Sequence, residues 1–278
     1  MALGPLALGP LALGPLAFAP PAVVLPLVAG LGLIVGSFLS ALTWRLPRGA
    51  SVAHGRSACP ACGATLGPRD LVPVLSWLAA RGRCRHCAAA ISPRYPLIEA
   101  ATALLFVLIA LRAPSVEAAV ALAALGAVLV ALAVVDLEHG LLPNVLNLAA
   151  VPPALAVAWL GIGTPVPTGT LANLVPALIG GAVAGLAAWA LKAGFHAATG
   201  RDGLGWGDVK FLAVAGLVLA PWQWPVFLIL AGVGGVVLGM IWRGAGRGAE
   251  FPFGPALIGA LLAVLLFPET AAILEPQP

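Results

Sequence analysis

Charge is what this chain has least of. Asp, Glu, Lys and Arg make up 9% of its 278 residues, against 61% hydrophobic residues and a mean hydropathy of +1.06. A soluble domain carries roughly one quarter charged residues, so the composition excludes one and points to a polytopic membrane protein. Cysteine is scarce too, with four in all, every one between positions 59 and 87. No Ser–His or Cys–His couple presents itself, which leaves carboxylates as the groups to examine for hydrolytic chemistry. His139 lies three residues after Asp136, in what reads as a polar turn.

What is abundant is apolar sequence. Runs approaching the ~20 residues needed to cross a hydrocarbon core fall at about 22–43, 96–111, 116–135, 145–160, 171–195, 209–219, 222–241 and 255–267. The reading is all-α: a membrane helical bundle of about eight transmembrane helices, the sixth of them short. Eight of the fourteen Lys and Arg lie between Arg45 and Arg94. With alternating spans, Lys192, Arg201, Lys210, Arg243 and Arg247 fall on that same side and Arg112 alone falls opposite. Positive charge marks the cytoplasmic side. The expected organisation is a low-complexity tail (1–21), a first transmembrane helix (22–44), a cytoplasmic loop (45–95) and a membrane-embedded domain (96–274). The tail repeats Ala-Leu-Gly-Pro with period five. Proline at that spacing denies a helix its hydrogen-bond ladder, so an apolar tail or an upstream start is expected rather than a span. It lacks the basic region of a secretory signal.

The loop carries Cys59-Pro-Ala-Cys62 and Cys84-Arg-His-Cys87, in the pattern C-x2-C-x21-C-x2-C. Two such knuckles offer four thiolates at the spacing of a tetrahedral Zn2+ site. A reducing compartment disfavours the alternative of two disulfides. With no open ligand position evident, the metal reads as structural, stapling a segment too small to hold its own core. Eight arginines stand against the single acid Asp70, a balance suited to anionic lipid. Nucleic acid is disfavoured as a partner, because the loop has no aromatic platform beyond Trp77 and Tyr95.

Two aspartates stand at the ends of apolar runs. Asp136 follows 121–135, and Asp208 opens 209–219 after Gly203-Leu-Gly205-Trp-Gly207. A carboxylate at membrane depth costs about 2.5–3.5 kcal/mol by insertion scales, and the span count places both at the cytoplasmic boundary. Asp136 is expected at a helix C-terminus and Asp208 at an N-cap position, with Gly205 and Gly207 permitting close backbone approach and Lys210 close by. The dipole signs favour a protonated Asp136 and an ionised Asp208. A proton-coupled transporter using the two as a relay is the competing class.

The motifs Gly36-Ser-Phe-Leu39, Arg45-Leu-Pro47, the two knuckles, Asp70-Leu-Val-Pro-Val-Leu-Ser-Trp77, Ile91-Ser-Pro-Arg-Tyr-Pro-Leu-Ile-Glu99, the Asp136 segment, Gly205-Trp-Gly-Asp208-Val-Lys210 and Pro252-Phe-Gly-Pro255 together resemble the bifunctional type IV prepilin peptidases. They match in order from about 36 to 255. The resemblance implies a multi-pass enzyme of the bacterial inner membrane that removes the basic leader of prepilins and pseudopilins after a glycine. It then N-methylates the exposed residue, usually Phe, from S-adenosylmethionine. It further implies that Asp136 and Asp208 are the peptidase pair and that the cysteine loop marks the methylating form; a peptidase that does not methylate is the nearest alternative. Ser40 stands where the family usually has Asn.

Overall fold

A computed structural model describes residues 20–52, 55–162, 169–248, 251–271 and 274–275. Most of the expected tail, positions 1–19, lies outside the described residues. Nine α-helices occur among those described: α1 (Pro21–Arg45), α2 (Leu75–Ala79), α3 (Arg94–Arg112), α4 (Val116–His139), α5 (Asn144–Trp159), α6 (Leu171–Thr199), α7 (Trp206–Val218), α8 (Trp224–Gly244) and α9 (Gly254–Leu266). Apart from the short α2, these are the eight apolar segments anticipated. Among the described residues β structure is limited to two isolated bridges in the cysteine loop.

Five of the helices, α1, α3, α4, α6 and α8, are long and apolar enough to cross a membrane. At 1.5 Å per residue, the 13-residue α7 and α9 reach only ~20 Å. The shortness expected of the sixth segment is therefore real, and α9 shares it.

Helix α4 is the centre of the bundle, touching α1, α3, α5 and α9. Leu125, Leu129 and Leu132 are fully enclosed, and their four-then-three spacing keeps one helix face inward. Four residues after Leu132 comes Asp136, also buried. The carboxylate thus occupies the last core position of the most buried of the five long helices. Leu27, Leu171, Leu191 and Met240 of α1, α6 and α8 are more than half exposed, as lipid-facing side chains should be. With no hydrophobic drive between helices in lipid, close packing by small residues has to supply the association. Gly32 and Gly36 let α1 lie on α3 so closely that an added Cβ would come within 2.6 Å of the Ala103 Cα and 2.7 Å of the Glu99 Cα. Gly180 of α6 and Gly216 of α7 meet in the same manner.

One end of the bundle collects the chemistry. The cysteine insertion connects the C-terminus of α1 to the N-terminus of α3, and the C-terminus of α4 and the N-termini of α7 and α9 open at that same end. Arg94 fastens three helices there: Nη1 donates to the Ser40 carbonyl (2.9 Å), Nη2 to Thr43 Oγ1 (2.7 Å), and Nη2 also to Glu138 Oε2 (3.0 Å). Glu138, in the last turn of α4, forms this ion pair. At the opposite end Arg112 pairs with Glu269 at 2.9 Å.

Candidate functional site

Helix α4 runs one turn past Asp136 and ends at Gly140, whose left-handed backbone (φ 62°) lets its N–H cap the Asp136 carbonyl. The carboxylate is aimed at a different element. Asp136 Oδ2 accepts the backbone N–H of Gly254, the first residue of α9, at 2.8 Å. A Cβ on Gly254 would sit 2.6 Å from that same oxygen, so glycine is required there by the carboxylate rather than by torsion. The motif Pro252-Phe-Gly-Pro255 opens α9. Its part in holding Asp136 has no local signal in the sequence.

Asp208 is held by a parallel device. It was expected at the N-cap of its helix; the N-cap is Gly205, and Asp208 stands three residues in, reaching back so that Oδ2 accepts the Gly205 N–H at 3.2 Å. Glycine has no capping side chain, which is why the carboxylate supplies the bond from within the first turn. A Cβ on Gly205 would approach Oδ2 to 2.9 Å. Each aspartate is thus pinned through one oxygen by a glycine N–H at a helix N-terminus, where the positive dipole end and a free donor meet. For Asp136 this second helix offsets the sign expected from α4 alone, so the dipole assignment of roles loses its basis.

Leu142 brings the two together. Its side chain lies 3.1 Å from where a Gly254 Cβ would be, and its Cβ 2.7 Å from where a Gly207 Cβ would be. The start of α7 and the Asp136–Gly254 contact therefore close on the same leucine, with Gly207 permitting the approach. Lys210 does not reach either carboxylate; its Nζ donates to Asn144 Oδ1 at 2.6 Å, tying α7 to α5. Lys192 of α6, which sequence reasoning passed over, is the cation that shapes this loop. It donates to Asp202 (3.0 Å) and to the Leu204 carbonyl (2.7 Å), next to Gly205. That hydrogen bond, with the lysine's charge, holds the Asp202 carboxyl below the usual carboxylate range.

The four cysteines converge as their spacing predicts. All four Sγ atoms lie within 4.8 Å of one another, with Cys59 and Cys87 at 3.9 Å. A disulfide needs ~2.05 Å, and all four are free thiols. Tetrahedral zinc with Zn–S bonds of ~2.3 Å would set its sulfurs roughly 3.8 Å apart, so the donor set fits that ion. The knuckles are built alike. In each, the residue after the second cysteine, Gly63 (φ 70°) or Ala88 (φ 57°), turns left-handed, and its N–H closes on the first cysteine's carbonyl. The N–H groups of Cys62 and Ala61 hold the Cys59 thiol down at about 6. At Cys87 the N–H of Ala89 pulls the same way but is outweighed by desolvation and the neighbouring thiols, which push it up to about 12. Four crowded sulfurs cannot all ionise without a cation among them. His86 offers only a backbone N–H, to Cys84 Sγ at 3.4 Å.

Comparison with known proteins places the chain. It matches the Bacterial Peptidase A24 N-terminal domain over residues 31–129 and the Type IV leader peptidase family over residues 123–240. A prepilin leader peptidase/N-methyltransferase of Burkholderia pseudomallei (strain 1026b) is 39% identical over 266 residues, 85% of this chain and 83% of that one. The protein of the same name from Pseudomonas aeruginosa is 36% identical, over 84% of this chain and 88% of its own. The type 4 prepilin-like proteins leader peptide-processing enzyme of Escherichia coli O78:H11 is 35% identical, over 87% and 94%. No solved structure matches. The chain belongs to the prepilin leader peptidase/N-methyltransferase family.

Proposed function

We propose that this chain cuts the basic leader from prepilins and pseudopilins after a glycine, at the cytoplasmic face of the bacterial inner membrane, and N-methylates the residue so exposed. Asp136 and Asp208 are the peptidase pair in this reading. The observation that carries it is the matched pair of glycine-held carboxylates, brought from α4 and α7 to one leucine at the end of the bundle that also bears the basic insertion. Hydrolysis needs one carboxylate to take a proton from water and the other to give one to the peptide carbonyl oxygen; two acids held together share a proton because ionising both is costly. The pair titrates jointly, so the donor and acceptor roles belong to it as a unit. No covalent intermediate is required.

Cys59, Cys62, Cys84 and Cys87 would hold one structural Zn2+, which supplies a cross-link rather than chemistry. Methyl transfer draws on S-adenosylmethionine, whose sulfonium supplies an activated methyl carbon to an amine. Gly205 and Gly207 serve by letting backbone and carboxylate approach, and Lys210 by joining α7 to α5. Purified enzyme with a candidate prepilin, read by mass spectrometry, tests both activities: the expected product lacks its leader and carries one added methyl. Cleavage without the methyl would reduce the reading to a peptidase; an intact leader would overturn it.

A further inference from the structure

We propose that the cavity between the cysteine insertion and helices α1 and α3 binds a ligand's α-ammonium group against the carboxylate of Glu99; this rests on the reading that the chain methylates an amine. The cavity measures about 520 Å3, with Ser37, Ser40, Trp44 and Glu99 on its membrane side and Trp77 and knuckle residues opposite. That is the size of a small-molecule site, ~300–1,000 Å3.

Glu99 is the feature that asks for a ligand. It is 7% exposed, and none of the ion pairs among the described residues includes it. Its Oε2 accepts the N–H of Val74 at 2.7 Å. Val74 adopts φ 61°, a left-handed conformation strongly disfavoured for a β-branched residue. The insertion is bent against its torsional preference to deliver this donor, and the Ser37 side chain supplies a second, yet two neutral donors do not cancel a charge. Four arginines line the cavity, Arg45, Arg56, Arg83 and Arg85, and none of them forms an ion pair with Glu99 among the described residues. Arg45 donates to the carbonyls of Ser51, Val52 and Gly55, and Arg85 pairs with Asp70. A primary ammonium is the ligand group that completes the site. Both reactants of amine methylation carry one: the new N-terminus of the cut peptide, and the amino-acid end of the sulfonium donor.

Glu99 could instead serve only to fasten the insertion, and the substitution Glu99→Gln separates the two roles. It keeps an oxygen for the Val74 N–H and removes the charge. The full chain in detergent is titrated calorimetrically with S-adenosylhomocysteine and, separately, with a short peptide bearing a free N-terminal Phe. The melting temperature is followed alongside. The expected result is an unchanged melting temperature and about tenfold or more weaker binding of one probe. Weakening of the peptide assigns the site to the product's amine, and weakening of S-adenosylhomocysteine assigns it to the donor's. Equal binding of both probes by wild type and Glu99→Gln overturns the proposal. Should the variant melt lower, wild type decides: a preference of about tenfold for a free over an N-acetylated form of either probe supports the site, and no preference for either overturns it. A wild-type chain that methylates while showing neither effect removes this inference alone. One that transfers no methyl removes the underlying reading and the inference with it.

Discussion

Asp136 and Asp208 are positioned by apolar helices packed against one another, each carboxylate bonded to a glycine some way off in the chain or across a helix start. The cysteines are positioned by two six-residue turns with hardly any core, the buried members being Cys59 and Cys84 themselves. One region draws its order from packing; the other has thiols standing where a small domain would have leucines. The peptidase end should therefore respond to small steric changes and ignore metal, and the insertion should do the reverse. The predictions press on that contrast.

The largest effect is expected from Asp136→Asn or Asp208→Asn. Either removes one member of a pair that works as a unit, and leader cleavage should fall by on the order of 10³-fold or more, with membrane insertion and metal content unchanged. A variant that cleaves robustly would end the aspartic reading. Next, Gly254→Ala places a Cβ 2.6 Å from Asp136 Oδ2; displacement of the carboxylate should cost about 10–100-fold in cleavage rate. Gly259→Ala, a few residues along the same helix with nothing within 4 Å of the added carbon, should cleave like wild type. Similar rates for the two would show that α9 does not position Asp136.

Third, Cys→Ser at any of the four positions should release about one zinc per chain and abolish methylation, with cleavage falling far less. Because the thiols must ionise to bind, and Cys87 alone is pushed up to about 12, protons should displace the metal as pH falls. Metal analysis across pH checks this; two disulfides and no zinc in wild type would refute it. The smallest effect is expected from Lys192→Met, a few-fold loss of cleavage near neutral pH through loosening of the 202–205 loop. Asp202 is held below the usual carboxylate range by the Lys192 hydrogen bond. That tether is therefore complete above the usual carboxylate pKa and lost as pH falls through the lowered one. The acid-induced loosening of the loop should be visible by hydrogen exchange in wild type, and the variant should show a loose loop at every pH.

The helix count, the end of the bundle that gathers the chemistry and the cysteine cluster were legible because each is written locally: apolar run length, arginine density, CxxC spacing. Asp136 and Asp208 stood out as candidates because charge within apolar sequence is rare. What could not be read were the partners. Gly254 lies 118 positions from Asp136, Lys192 ten and twelve positions from the loop residues it holds, and Arg94 44 from Glu138. The cap at Gly205 misled for a physical reason: a glycine N-cap leaves its bond to be made from inside the helix, so the acid sits three positions later than a side-chain cap would. Glu99 stood in a recognised motif, but nothing near it in sequence revealed that its neighbours would be Val74 and a cavity.

The shortness of α7 and α9 has an effect on the bilayer itself. Both begin at the aspartates, and at ~20 Å each falls ~10 Å short of a typical hydrocarbon core. Hydrophobic mismatch of this size is relieved by local thinning of the lipid or by water reaching down to the helix ends. Either way hydration is drawn below the plane of the surrounding headgroups, at the one place in the bundle where a hydrolytic enzyme needs both water and access to a peptide that emerges from the membrane. Lipid chain length thereby becomes a variable of the reaction, acting on the depth of the carboxylates rather than on their chemistry.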